Sequence, residues 1–302
     1  MDCALILDKP AGLTSHDVVA RVRRLLGERS VGHLGTLDPG ATGVLPMLTG
    51  RLTRLARFFQ ARDKEYEGEI IFGQATDTYD ASGDPVGPAA SGAPSLAAIE
   101  VALPAFRGHI VQQPPPYSAK KTAGRRAYVL ARQNQPVHLA PVHVEVAEFA
   151  PLGLEGQQLR FRVRCSAGTY VRSLAHDLGQ ALGLGAHLGP LRRTRCGEFT
   201  LARAVTLDQL AAALCPAGVP VAPGARAAAL GGIALPAAEL LPEFPAVTAS
   251  PDAAHRLRQG RTANLPEFSK TLTIRVFLPD GVLLAIARRV AGSLFQPQIV
   301  FP

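Results

Sequence analysis

The chain has 302 residues, 47% of them hydrophobic and 19% charged, so it can bury a substantial core and global disorder is excluded. Lys and Arg number 32 against 24 Asp and Glu, a formal net charge of +8 that favours a polyanionic partner. No apolar run reaches the roughly 18 residues of a membrane span, and the start, Met1-Asp2-Cys3-Ala4, lacks the basic segment of a secretory signal. The expectation is a cytoplasmic protein without membrane contact.

In chain order, Ser15 as N-cap opens a helix to Leu26, with Val18, Val19, Val22, Leu25 and Leu26 on one face. Leu52, Leu55, Ala56 and Phe59 fit a second helix, and Glu69–Phe72 a strand. Gly83–Pro94 reads as a surface loop. Val142, Val144 and Val146 alternate with polar residues, as a strand requires. Leu159–Cys165 alternates strictly and puts Arg160, Arg162 and Arg164 on one sheet face. Val171, Leu174, Ala175, Leu178 and Leu182 have helical spacing, and Thr206 with Gln209 forms a capping box. Cys215–Ala238, dominated by Ala, Pro and Gly, reads as a linker or variable insertion. Thr271–Phe277, Val282–Ala287 and Gln298–Phe301 are short strands of a small basic module. The class is α+β, in two domains, 1–240 and 245–302, the second too small to hold a large core and expected to dock on the first.

The charge is unevenly placed. No acid lies between Glu100 and Glu145, a stretch carrying Arg107, Lys120, Lys121, Arg125, Arg126 and Arg132. A second acid-free run, Gly156 to His176, carries Arg160, Arg162, Arg164 and Arg172. Two single-sign stretches point to a nucleic-acid footprint. The 4 cysteines form no CxxC pair, so reduced thiols and no metal site are expected.

The most informative stretch is Gly32-His33-Leu34-Gly35-Thr36-Leu37-Asp38-Pro39-Gly40-Ala41-Thr42-Gly43-Val44-Leu45-Pro46. Its glycines suggest a phosphate cradle, yet no Gly-Lys-Ser/Thr closes it and an acid sits at its centre, where a phosphate would be repelled. Asp38, before a proline and between Gly35 and Gly40, is displayed on a turn. Taken alone, an Asp-Pro turn is structural as readily as functional.

The stretch resembles the active-site loop of the TruB family of tRNA pseudouridine synthases, and an ordered series of motifs accompanies it. Leu7–Ser15 looks like the family's opening segment, Asp63-Lys64-Glu65-Tyr66 like its tyrosine segment, and Gly73–Gly83 its continuation. Pro116-Tyr117-Ser118-Ala119 through Lys121, Arg126 and Tyr128 resembles the Pro-Tyr-Ser-Ala-x-Lys box. Cys165–Arg172 resembles the Gly-Thr-Tyr-x-Arg box, and Gly185-Ala186-His187 with Leu191-Arg192-Arg193 completes the series.

The resemblance implies a pseudouridine synthase fold: a mixed, largely antiparallel central sheet flanked by helices, with a small β-rich, PUA-like RNA-binding domain. It implies isomerisation of uridine 55 in the TΨC loop of tRNA, with no cofactor, no metal and no obligate protein partner, and the chain's length and lack of a long apolar stripe favour a monomer. Asp38 takes the part of the catalytic aspartate and Arg172 that of its guanidinium partner. Tyr66 lies against the target base, where a phenol can stack and assist proton removal from C5. Tyr170 and Leu191 line the uracil pocket, and His33 fills the space left by the flipped nucleotide. Lys9 stands near the loop, and Lys121 and Arg126 belong to a basic contact region. Ala167, where lysine is common, removes one phosphate contact; Leu34 and Val129 also depart from the pattern. Two other readings share these residues: an RNA-binding protein with a vestigial site, and a guide-dependent synthase within a ribonucleoprotein.

Overall fold

The computed structural model describes residues 1–118, 120–122, 125, 126, 133 and 139–301, with the backbone alone at 121, 122, 125 and 126. The strands of the larger part are β1 (Ala4–Lys9), β2 (Val31–His33), β3 (Thr42–Thr49), β4 (Lys64–Phe72), β5 (Ala75–Thr76), β6 (Pro85–Val86), β7 (Gly108–Gln112), β8 (Lys121–Thr122), β9 (Arg125–Arg126), β10 (Val142–Glu155), β11 (Gln158–Cys165), β12 (Ala186–Cys196), β13 (Phe199–Thr200) and β14 (Ala234–Leu235). Among the described residues ten strands form one sheet in the order β14-β1-β3-β12-β4-β11-β10-β7, with β2 on β3 and β13 on β12. Only the β12–β3 pair is parallel within it, so the sheet is mixed and largely antiparallel. β5 and β6 form a separate hairpin, as do β8 and β9.

Strand β1 shows how the layers stack. Leu5 and Leu7 enter one apolar cluster with Val18, Val19 and Val22 of the Ser15–Leu26 helix, whereas Ala4 and Ile6 enter a second on the opposite face. Burial on both faces explains why β1 reads as a continuous apolar run. The Ser15–Leu26 helix forms as its spacing predicts, but its N-cap is Thr14, whose hydroxyl accepts from the Asp17 amide at 3.0 Å while its own amide donates to Asp17 at 2.9 Å. Ser15 is instead buried and has a different task, described below. Residues 50–59 are a 3-10 turn, Gly50–Leu55, followed by one α turn, Ala56–Phe59.

Cys215–Ala238 is no linker. Leu230 sits in the first apolar cluster, Arg226 donates to the Leu26 carbonyl, and β14 pairs with β1 as the sheet's edge strand. An Ala- and Pro-rich composition hides this, because two residues of edge pairing need no alternation.

The remaining strands are β15 (Ala246–Thr248), β16 (Ala263–Asn264), β17 (Thr273–Phe277), β18 (Leu283–Ala291) and β19 (Leu294–Val300), forming a sheet of order β15-β17-β18-β19-β16 with the Pro251–Arg258 helix. Phe277, Leu283, Ile286, Ile299 and Phe301 join Leu52, Leu55 and Phe59 in the second apolar cluster. Arg275 spans the junction, donating to the carbonyls of Ala238 at 2.6 Å, Leu240 at 3.1 Å and Phe244 at 2.8 Å. Apolar burial plus a buried guanidinium seats the small sheet on the larger part.

The arginine face of β11 has a different use from the one its sequence suggests. Arg160, Arg162 and Arg164 lie opposite Glu69, Glu67 and Glu65 of β4, and Arg162 also pairs with Glu148 of β10 at 2.9 Å. Acids remote in sequence therefore face this run across the strands, and Arg162 is ion-paired, while Arg160 and Arg164 stay exposed. Arg107, though exposed, is tied back to the sheet, donating to the Phe149 carbonyl at 2.7 Å.

Candidate active site

The Asp38 segment spans β2 to β3, and nearly every carbonyl of its turn has a donor. Arg193, only 1% exposed, donates to Gly35 at 3.0 Å, Thr36 at 3.3 Å and Val44 at 2.7 Å. Ser15 Oγ donates to the Leu37 carbonyl at 3.0 Å and accepts from the Leu37 amide at 2.8 Å. The Asp38 carbonyl accepts from Ala41, and the Pro39 carbonyl from Gly12 at 2.9 Å and from Lys9 Nζ at 3.2 Å. A loop bonded this fully is held in one shape, which is what presenting a single carboxylate requires. Gly43 makes the closure possible: at φ +101° a Cβ there would lie 2.2 Å from the Arg193 carbonyl, across the parallel β3–β12 contact.

At the tip, the half-exposed Asp38 carboxylate meets Arg172 from the first turn of the Val171–Ala181 helix. The contact is two-pronged, Nε to Oδ2 at 3.0 Å and Nη2 to Oδ1 at 3.4 Å. The Arg172 side chain is 9% exposed and that of Asp38 47%. The guanidinium is fixed from behind by the Thr78 carbonyl at 3.0 Å, the Tyr117 carbonyl at 3.0 Å and Asp80 Oδ2 at 3.5 Å. Arg172 directly, and Lys9 through the neighbouring Pro39 carbonyl, thus place two buried cations beside the Asp38 carboxylate.

The structure brings most of the other named residues to this region. Tyr66, on β4 directly across from Arg193 of β12, is buried, and that burial pushes its phenol up to about 12. Tyr170 precedes Arg172; burial raises its phenol too, and it feels the charges of Arg172 and Asp38. The Tyr170 backbone is held at both ends by Gln112, whose amide accepts from its N–H at 3.0 Å and donates to its carbonyl at 3.1 Å. Leu191 on β12 lies over Gly68, where any side chain would press within 3.0 Å of its Cδ1. His33 Nδ1 accepts from the Gly35 amide at 3.3 Å, which leaves Nε2 carrying the proton. Burial, then Arg193, lowers its pKa, so the ring is neutral at pH 7.

Lys9 is placed differently. It is fully buried, and its three N–H groups are committed to the carbonyls of Pro10 at 2.9 Å, Leu13 at 2.7 Å and Pro39 at 3.2 Å. In this arrangement it holds the Asp38 loop and has no donor left for a ligand. The Lys121 and Arg126 side chains lie outside the described residues; their backbones pair across the β8–β9 hairpin.

Sequence reasoning assigned no role to Arg193, Asp80 or Gln112, and gave Ser15 only that of a helix cap. Arg193 and Asp80 stand within the motifs, but nothing in a linear pattern says which arginine turns inward. Gln112 carries no signal at all, since its partner is 58 residues away. Among the described residues no cluster of His, Cys, Asp and Glu could hold a metal ion, and the four cysteines are unpaired.

The comparisons with known proteins define the class and then the family. Residues 23–171 match a family model described as TruB family pseudouridylate synthase, N-terminal domain, and 172–218 one described as tRNA pseudouridylate synthase B C-terminal domain. The tRNA pseudouridine synthase B of Solibacter usitatus is 45% identical over 99% of this chain and 100% of that protein; that of Thermobifida fusca is 42% identical over 99% and 98%. Among solved structures, a Cbf5-Nop10-Gar1 complex superposes with a TM-score of 0.71 at 26% identity, covering 99% of this chain and 85% of that one. The chain belongs to the TruB family of pseudouridylate synthases, and it is an enzyme.

Proposed function

We propose that this enzyme converts uridine 55 in the T loop of tRNA to pseudouridine, with Asp38 as the reactive carboxylate. The observation that carries this reading is the Asp38–Arg172 pair: an accessible acid gripped at 3.0 Å by a buried, five-point-anchored guanidinium. The near-full-length relatives named for tRNA support the substrate. The reaction is an isomerisation, so it requires no redox partner: the N1–C1′ bond breaks, a C5–C1′ bond forms, a proton leaves C5 and N1 gains one. Asp38 attacks the nucleoside or promotes its cleavage, while the site retains the freed uracil during its rotation.

Tyr66 as a neutral phenol packs on the base and is unsuited to being a resting phenolate. Tyr170 and Leu191 bound the pocket. The target must leave its stack, at a cost of a few kcal/mol, and the neutral ring of His33 fills the gap, offering Nε2–H to the exposed partner groups. The β-rich sheet of residues 246–301 extends the RNA contact in the manner of a PUA-like domain. The protein works in the cytoplasm as a monomer without a guide RNA, a location its unpaired thiols favour.

Nucleotide-resolved pseudouridine mapping of tRNA incubated with purified protein tests the site. Asp38→Asn should abolish turnover, by about 10⁴-fold or more, and leave tRNA affinity within about threefold. Undiminished turnover in that variant would refute the assignment. An unmodified T-arm stem–loop should be a substrate without any other protein; strict dependence on a guide RNA would favour the ribonucleoprotein reading, which the Cbf5-containing neighbours make the relevant rival.

A further inference from the structure

Arg172 depends on the turn 77–84 between β5 and β6, because Thr78 supplies a carbonyl and Asp80 a carboxylate to the same Nη1. The residue between them, Tyr79, has φ +64°, a conformation tyrosine seldom adopts. Glycine would take it without strain, so the side chain must be gaining something. Its ring lies flat on His176, with centroids 3.8 Å apart and planes 11° apart. His176 is one turn beyond Arg172 on the same helix, so both project from one face. Among the described residues the buried Nδ1 of the imidazole has no hydrogen-bond partner, and burial lowers the pKa of the ring, which favours its neutral form.

We propose that the Tyr79–His176 stack is a positioning device for the Arg172 guanidinium, tying the Thr78–Asp80 turn to the helix that carries Arg172. The inference rests on the Asp38–Arg172 reading above. In it, Arg172 is clamped between Asp38 and the turn, and the stack keeps the turn and the helix at one separation. The Leu188 amide, donating to the Tyr79 carbonyl at 2.9 Å, and the Ala81 amide, donating to the Leu188 carbonyl at 3.0 Å, hold the turn's other side to β12. The hydroxyl of Tyr79 has no part in the device; the flat ring does.

Single-turnover rates and RNA affinities on an unmodified T-arm stem–loop test this. Tyr79→Ala and His176→Ala should lower the rate by about 10- to 100-fold, as expected when a reacting group is misplaced by a fraction of an ångström to an ångström, with affinity unchanged. Tyr79→Phe and His176→Phe, which keep two flat rings, should restore the wild-type rate. Tyr79→Gly relieves the backbone strain but removes the ring, and should be as slow as Tyr79→Ala; a wild-type rate there would overturn the proposal. So would losses that simply add when Tyr79→Ala is combined with Asp80→Asn, since both act on one guanidinium and should cost little more together than singly. If the alanine variants do not fold, His176→Leu keeps bulk without a plane, and its wild-type rate would be equally decisive against the stack. Asp38→Asn runs alongside: an active Asp38→Asn sinks the underlying reading, whereas an inactive one beside a fully active Tyr79→Gly sinks the stack alone.

Discussion

At the scale of single residues, burial decides protonation, and protonation decides what a side chain can contribute. Tyr66 is recognisable from its motif, but burial of its side chain in the core pushes its phenol up to about 12. Were a phenolate at Tyr66 the base for the C5 proton, the single-turnover rate would climb about tenfold per pH unit below that value. A neutral phenol predicts no such climb between about pH 7 and about pH 9. A measured tenfold-per-unit rise, absent in Tyr66→Phe, would return the base role to Tyr66. Lys9 teaches the same lesson from the other side: its motif is legible, yet only three carbonyl contacts reveal that its ammonium faces inward. Neither fact can be read from residue type, because desolvation and hydrogen bonding come from atoms supplied by distant segments.

At the scale of elements, the Asp38 loop is a designed rigidity rather than a flexible glycine-rich segment. Arg193 from β12, Ser15 from the first helix and Lys9 from β1 hold it from three directions. Gly43 lets the β3–β12 parallel contact close, so Gly43→Ala forces both a strained φ and a clash with the Arg193 carbonyl. We expect Gly43→Ala to cost about 3 kcal/mol of stability, and, where the protein still folds at low temperature, to lower the rate more than the tRNA affinity. Denaturant titration and single-turnover kinetics read the two effects; a variant with unchanged stability would show that the strands can part there freely. The Ser15–Leu26 helix follows from apolar spacing. The N-cap shifts by one residue, from Ser15 to Thr14, since two adjacent hydroxyl residues are equivalent in sequence and only the loop's need for Ser15 separates them.

At the scale of the whole molecule, net charge and its surface distribution part company. A net +8 predicts salt-sensitive RNA binding, and tRNA affinity should fall at least about tenfold between about 50 and about 200 mM monovalent salt. Arg162 of β11 should not contribute: Arg162→Gln, removing a partner of Glu148, should leave the slope of log affinity against log salt unchanged. A slope reduced by about one unit would put Arg162 on the RNA after all. The small C-terminal sheet sits on the second apolar cluster with Arg275 at the seam, an attachment invisible in a segment that reads only as short strands. By itself the sequence determined the α+β class, the helices at 15–26 and 171–182, strands such as 159–165, and the ordered motifs around Asp38, Tyr66 and Arg172, but not β1, β3 or β12, because periodicity and local spacing are properties of neighbouring residues. Only the tertiary structure decided which cations are buried, which acids face the arginine run, how the alanine-rich segment joins the sheet, and that Tyr79 and His176 meet. Those outcomes depend on strand pairing and burial between residues far apart in the chain, where no local pattern constrains the partner.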